Sequence, residues 1–63
     1  MTGAELRETR QSLGLSQQAL ADELGLSRRM IIAMEKGEKP IERRTELAVR
    51  YLLLVRGEVA AAV

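Results

Sequence analysis

Two adjacent guanidiniums, Arg28 and Arg29, follow Ser27 at the head of a short helix-periodic run, and Lys36, Lys39, Arg43 and Arg44 come after them. Such groups do one kind of chemistry unaided: they hold oxyanions through charge-assisted hydrogen bonds. Between positions 28 and 44 these six cations meet only Glu35, Glu38 and Glu42, a local excess of three positive charges. Elsewhere Arg7, Arg10, Arg50 and Arg56 are outnumbered by Glu5, Glu8, Asp22, Glu23, Glu46 and Glu58. The net charge of +1 therefore conceals a basic middle with acidic flanks. That separation suits a polyanion touching one side of a small domain; a solvated face is the plainer alternative.

Other chemistries are excluded by what is missing. The 63 residues include no Cys and no His, which removes disulfides, zinc sites, thiol nucleophiles and imidazole acid/base catalysis together. The serines and carboxylates have no partner to activate them, so neither an enzyme nor a metal or cofactor site is expected. Tyr51 is the sole aromatic, too little to build stacking platforms for single-stranded nucleic acid. A hydrophobic content of 46% with 30% charged residues describes a foldable chain of one domain, residues 1–63, with no small-molecule ligand expected. No stretch reaches the roughly 18 to 20 apolar residues of a membrane span, and the N-terminus lacks the apolar run of a signal peptide, so a cytoplasmic location is expected.

The elements that must position the cations are helices. Gly14, Gly25, Gly37 and Gly57 each stand where a left-handed residue would end a helix, and Pro40 blocks continuation from Lys36. Thr2 with Glu5 has the spacing of a capping box, and Ser16 and Ser27 precede further helical runs. The resulting segments are Ala4 to Leu13, Gln17 to Leu24, Arg28 to Lys36, and Glu42 or Arg43 to Arg56. They carry apolar residues at helical spacing: Leu6 and Leu13; Leu20, Ala21 and Leu24; Ile31 and Met34; Leu47, Tyr51, Leu54 and Val55. No segment alternates as a strand does. The expected fold is all-α, a compact bundle of four to five short helices that stand only by packing on one another.

The stretch from Ser16 to Gly37 reads as two short helices joined by a tight turn at Gly25, the layout of a helix-turn-helix. Leu20, Leu24, Leu26, Ile31 and Met34 can form one seam, with Ala21 small at the crossing. That seam leaves the far side of the second helix free to enter a major groove. From about Leu6 to Pro40, through the run LGLSQQALADELGLS, Ile31 and the ending MEKGEKP, the chain resembles the phage-repressor and Cro-like helix-turn-helix family, also called the XRE family. The resemblance implies a double-stranded DNA partner. It implies phosphate contacts from Gln17, with Gln18 beside it, and base reading by Ser27, Arg28, Arg29 and Ala33. Bidentate hydrogen bonds from the two arginines to guanine would discriminate by about 1–3 kcal/mol each. Ala33 offers only a methyl group where relatives often carry a polar reader. Ile32 either joins it against thymine methyls or turns inward. Lys36, Lys39, Arg43 and Arg44 are expected at phosphates, solubility being the alternative for Lys39 and Arg44. Arg10 and Glu35 sit where some relatives have a buried ion pair.

The last third is apolar around most of its helix, and a domain this small cannot cover all of it. Residues 47–63 are therefore expected to form a homodimer contact through Tyr51, Leu54, Val55, Val59 and Val63, with a frayed terminus as the alternative. The implied function is an autoregulatory repressor on a palindromic operator, of the phage, mobile-element, restriction-modification or anti-CRISPR-operon type. Activation through contact of acidic residues with RNA polymerase is also open. The competing reading is an antitoxin-like module that captures a toxin partner through its tail and binds DNA secondarily.

Overall fold

The computed structural model describes the backbone of residues 1–62 and the side chains of residues 1–56. Four helices follow one another: α1 (Gly3–Ser12), α2 (Gln17–Leu24), α3 (Arg28–Glu35) and α4 (Arg43–Ala62). Among the described residues there is no strand. Among the described residues no helix is long and apolar enough to cross a membrane.

Local chemistry accounts for the first three. Thr2 Oγ1 accepts from the Glu5 amide at 3.1 Å while Glu5 Oε1 accepts from the Thr2 amide at 3.0 Å, a closed capping box. Ser16 and Ser27 cap α2 and α3 through the amides of Ala19 and Met30. Gly25 has φ +69°, a conformation that strains any residue with a Cβ. It turns the chain so that the Leu26 amide reaches back to the Ala21 carbonyl at 2.9 Å and satisfies the end of α2. α4 departs from expectation. It runs 20 residues, through Gly57, where the sequence predicted a stop. An interior glycine costs a helix only about 1 kcal/mol, and the Glu, Val and Ala residues beyond it are compatible with the helix, whereas a true stop also needs a reason for the chain to turn.

The core consists of Leu6, Leu20, Ala21, Ile31, Met34 and Val49, with Leu15, Leu24, Leu26, Ile41 and Leu52 packed around it. α3 rests chiefly on α2 and then on α1. α4 faces inward with Val49 and Leu52, so the Leu47, Tyr51 and Leu54 stripe points to solvent at 50%, 65% and 61% exposure. Val55 is half-buried, and Val59 and Val63 lie outside the residues whose side chains are described.

Gly3 has a role that local sequence does not reveal. A Cβ there would lie 2.5 Å from the Met34 carbonyl oxygen and 2.6 Å from that of Glu35, both backbone atoms at the end of α3. Helix propensity alone predicts that Gly3→Ala stabilises α1 by about 0.5–1 kcal/mol. The contact predicts the reverse. A net loss of about 1–3 kcal/mol is expected from overpacking against rigid backbone, read as a lowered thermal midpoint.

Two carboxylates tie stability to acid pH. Backbone and hydroxyl hydrogen bonds from Thr2 hold Glu5 below its ordinary pKa, and the Arg50 guanidinium, 2.8 Å away, does the same for Glu46. A depressed folded-state pKa means that the stabilisation is complete above the unfolded value of about 4.5 and is lost as pH falls through the folded values. Denaturant midpoints should therefore hold from neutrality to about pH 5 and fall below it. Glu5→Gln with Glu46→Gln should flatten that fall.

Candidate nucleic-acid interface

The orientation of α3 follows from its own periodicity. Ile31 and Met34 are buried, and the opposite face carries Arg29, Ile32, Ala33 and Lys36, spaced i, i+3, i+4, i+7. Arg28 and Arg29 are exposed, while Ile32 and Ala33 are half-buried. Among the described residues neither arginine, nor Lys36, nor Lys39, makes a hydrogen bond or ion pair from its side chain. Ser27 stands just before them. Its Oγ accepts from the Met30 amide at 3.1 Å, which leaves the hydroxyl proton free to be donated outward.

Behind this face lies a fork of charge. Arg10 Nε donates to Glu35 Oε2 at 2.6 Å, Nη2 donates to Oε1 at 3.2 Å, and Nη1 reaches the Leu15 carbonyl at 3.0 Å. The side chains are only 13% and 6% exposed. Gln17 Nε2 adds a hydrogen bond to Glu35 Oε1 at 3.3 Å. One carboxylate thus joins α1, the start of α2 and the last turn of α3, and its charge is matched inside the protein. This assembly and the apolar seam fix the direction of α3 from two sides.

The structure divides the remaining cations. Gln17, Gln18, Arg28, Ile32 and Lys36 line one open cleft of about 730 Å³, together with Arg7, Arg10, Ser16 and Glu35. Gln18 Nε2 also donates to Asp22 at 2.9 Å. Lys39 and Arg44 lie instead around a second, largely apolar groove beside Leu24, Leu26, Met30 and Pro40. Arg44 is paired with Glu42 at 3.0 Å, and Arg43 stands 3.8 Å from Glu46. Arg7 is the residue that sequence reasoning missed: there it counted only among the charges of the acidic flanks, and the packing of α1 against α3 brings it to the cleft. Among the described residues no group of three potential ligands could hold a metal ion.

Comparison with known proteins adds the family. The family model described as helix-turn-helix matches residues 6–45, more than half of the chain. A protein of Methanothermobacter thermautotrophicus (strain Delta H), described as an uncharacterized HTH-type transcriptional regulator, is 53% identical over 32 residues, covering 51% of this chain and 46% of that protein. The chain therefore spans less than half the length of that relative. No solved structure matches it. With α2 and α3 joined at Gly25 and held together by the Leu20, Ala21, Ile31 and Met34 seam, the chain belongs to the XRE-type helix-turn-helix family.

Proposed function

We propose that the protein is a sequence-specific regulator of transcription that binds double-stranded DNA, acting as a repressor on a palindromic operator as a homodimer. The observation that carries this reading is the outward face of α3, where Arg29, Ile32, Ala33 and Lys36 project beside Arg28 with their cations unpaired among the described residues. Membership of the helix-turn-helix family and the name of the archaeal relative support it. An α-helix fits the major groove of B-DNA, and base edges there carry acceptor pairs that a guanidinium fork matches. Gln17, Gln18 and Lys36 are the proposed phosphate contacts flanking that helix, with Lys39, Arg43 and Arg44 at its far end. The homodimer is supported by the exposed Leu47, Tyr51 and Leu54, an apolar stripe unusual for a free surface on so small a domain.

Selection of random duplexes by the purified protein tests the reading. A two-fold symmetric consensus, with half-sites about one helical turn apart, is the expected product. Recovery of unselected sequence would overturn it. Affinity for the selected site should fall by about three orders of magnitude between roughly 50 and 200 mM salt, through release of counterions from several phosphates. A salt-independent constant would remove the basic residues from the interface. Sedimentation at micromolar concentration checks the dimer, and a monomer that binds without cooperativity would refute it.

A further inference from the structure

We infer that Arg7 of α1 joins Gln17, Gln18 and Lys36 in holding the DNA backbone: in the cleft between α1, the start of α2 and α3, it is the contact from α1 to a phosphodiester group of the duplex. The inference rests on the reading of α3 as the groove-facing helix and adds a residue of α1 to the phosphate contacts proposed there.

The two arginines of α1 lie one turn apart, yet they are in opposite situations. Every nitrogen of Arg10 that the fold can reach is occupied, by Glu35 and by the Leu15 carbonyl. Arg7 is exposed, lines the same cleft, and makes no ion pair or side-chain hydrogen bond among the described residues. Glu5, two residues before it, is closed into the capping box with Thr2. The cleft therefore holds three cations without a partner among the described residues, Arg7, Arg28 and Lys36, beside Gln17 and Gln18, whose side-chain amides already donate to Glu35 and Asp22. Its one carboxylate, Glu35, is already matched by Arg10. A concave site with that balance selects an anion. Because it is open and lies beside the outward face of α3, the anion that reaches it as α3 enters a groove is a backbone phosphate. Arg7 would then grip the strand from α1, a contact that sets register and carries no sequence information.

The test uses the full chain and two duplexes, the selected site and a scrambled one, over a range of salt. Arg7→Ala should weaken binding to both duplexes by the same factor, about three- to tenfold, and lower the salt slope by about one per subunit. Arg7→Lys should restore the slope. Arg56→Ala makes the same change in net charge but lies on α4 against Glu23, so it should leave the slope unchanged. An Arg7→Ala effect no larger than that of Arg56→Ala overturns the inference, and so does a loss confined to the selected site, which would make Arg7 a base reader. Titration with inorganic phosphate separates the two sources of the anion. Saturable millimolar binding that shifts the Arg7 and Gln17 amide resonances, in a protein that ignores both duplexes, would mean a small-anion site and would refute the proposed function too. If wild-type protein binds the selected duplex and Arg7→Ala does so equally well, the inference alone fails.

Discussion

Joint replacement of Arg28 and Arg29 by alanine is expected to collapse the preference for the selected site over a scrambled duplex by roughly 30- to 20,000-fold per half-site. Each guanidinium on a base edge contributes about 1–3 kcal/mol of discrimination, and the two are adjacent. The fold should not change, because both side chains are exposed, neither has a partner among the described residues, and alanine is the better helix former. Circular dichroism and the thermal midpoint check that. The single variants divide the roles. Arg29 stands on the outward face in line with Ile32, Ala33 and Lys36, so Arg29→Ala should relax sequence preference at one position of each half-site. Arg28 stands on the shoulder that lines the cleft. A loss that is uniform across sequences for Arg28→Ala would assign it to a phosphate, and a loss that depends on sequence would assign it to a base. An unchanged ratio in the double variant would remove α3 as the reading helix.

Removal of the Glu35 carboxylate is the change expected to cost most stability. The Arg10 side chain is 13% exposed beside Glu35, and Glu35→Ala leaves its guanidinium with only the Leu15 carbonyl and takes an acceptor from Gln17. Breaking a buried pair costs about 3–5 kcal/mol, and the residual access of water to Arg10 places this one at the lower end, about 3 kcal/mol. For a domain whose total stability lies near 5–15 kcal/mol, that is a large fraction, and it corresponds to a fall of roughly 12–24 °C in the thermal midpoint. The double variant Arg10→Met with Glu35→Leu should regain most of the loss, because an apolar pair of similar volume needs no charge compensation. DNA binding should not recover with it, since Gln17 would lack the carboxylate that orients its amide. A loss below 1 kcal/mol in Glu35→Ala would identify an ordinary surface pair and deny it any part in aiming α3.

These variants differ in how far ahead their sites could be seen. The outward placement of Arg28 and Arg29 was legible because the signals that locate them are local. Ser27 starts a helix, Gly25 and Gly37 bracket it, and apolar residues at 31 and 34 assign its inner face, so the outer face follows by subtraction. Glu35 was legible only through the resemblance, as nothing in the spacing of Arg10 and Glu35 brings groups 25 residues apart together. For α4, composition pointed to surplus apolar surface, but the inward face is Val49 and Leu52, a choice made by where α1 and α2 leave space.

Helix ends, caps and turns are settled within a few residues, by φ preferences and by hydrogen bonds between neighbours, and the order α1 to α3 with its two serine caps could be read directly from the chain. The identity of the free cations could not. Arg7 and Arg10 are chemically the same and one turn apart, and their different fates depend on a carboxylate and a carbonyl supplied by other parts of the chain. Gly3 is silent in sequence for the same reason: the carbonyls that exclude a Cβ there belong to residues more than thirty positions away. Backbone preference is a property of short segments, whereas the pairing of a charge and the close approach of two helices exist only once the segments have packed.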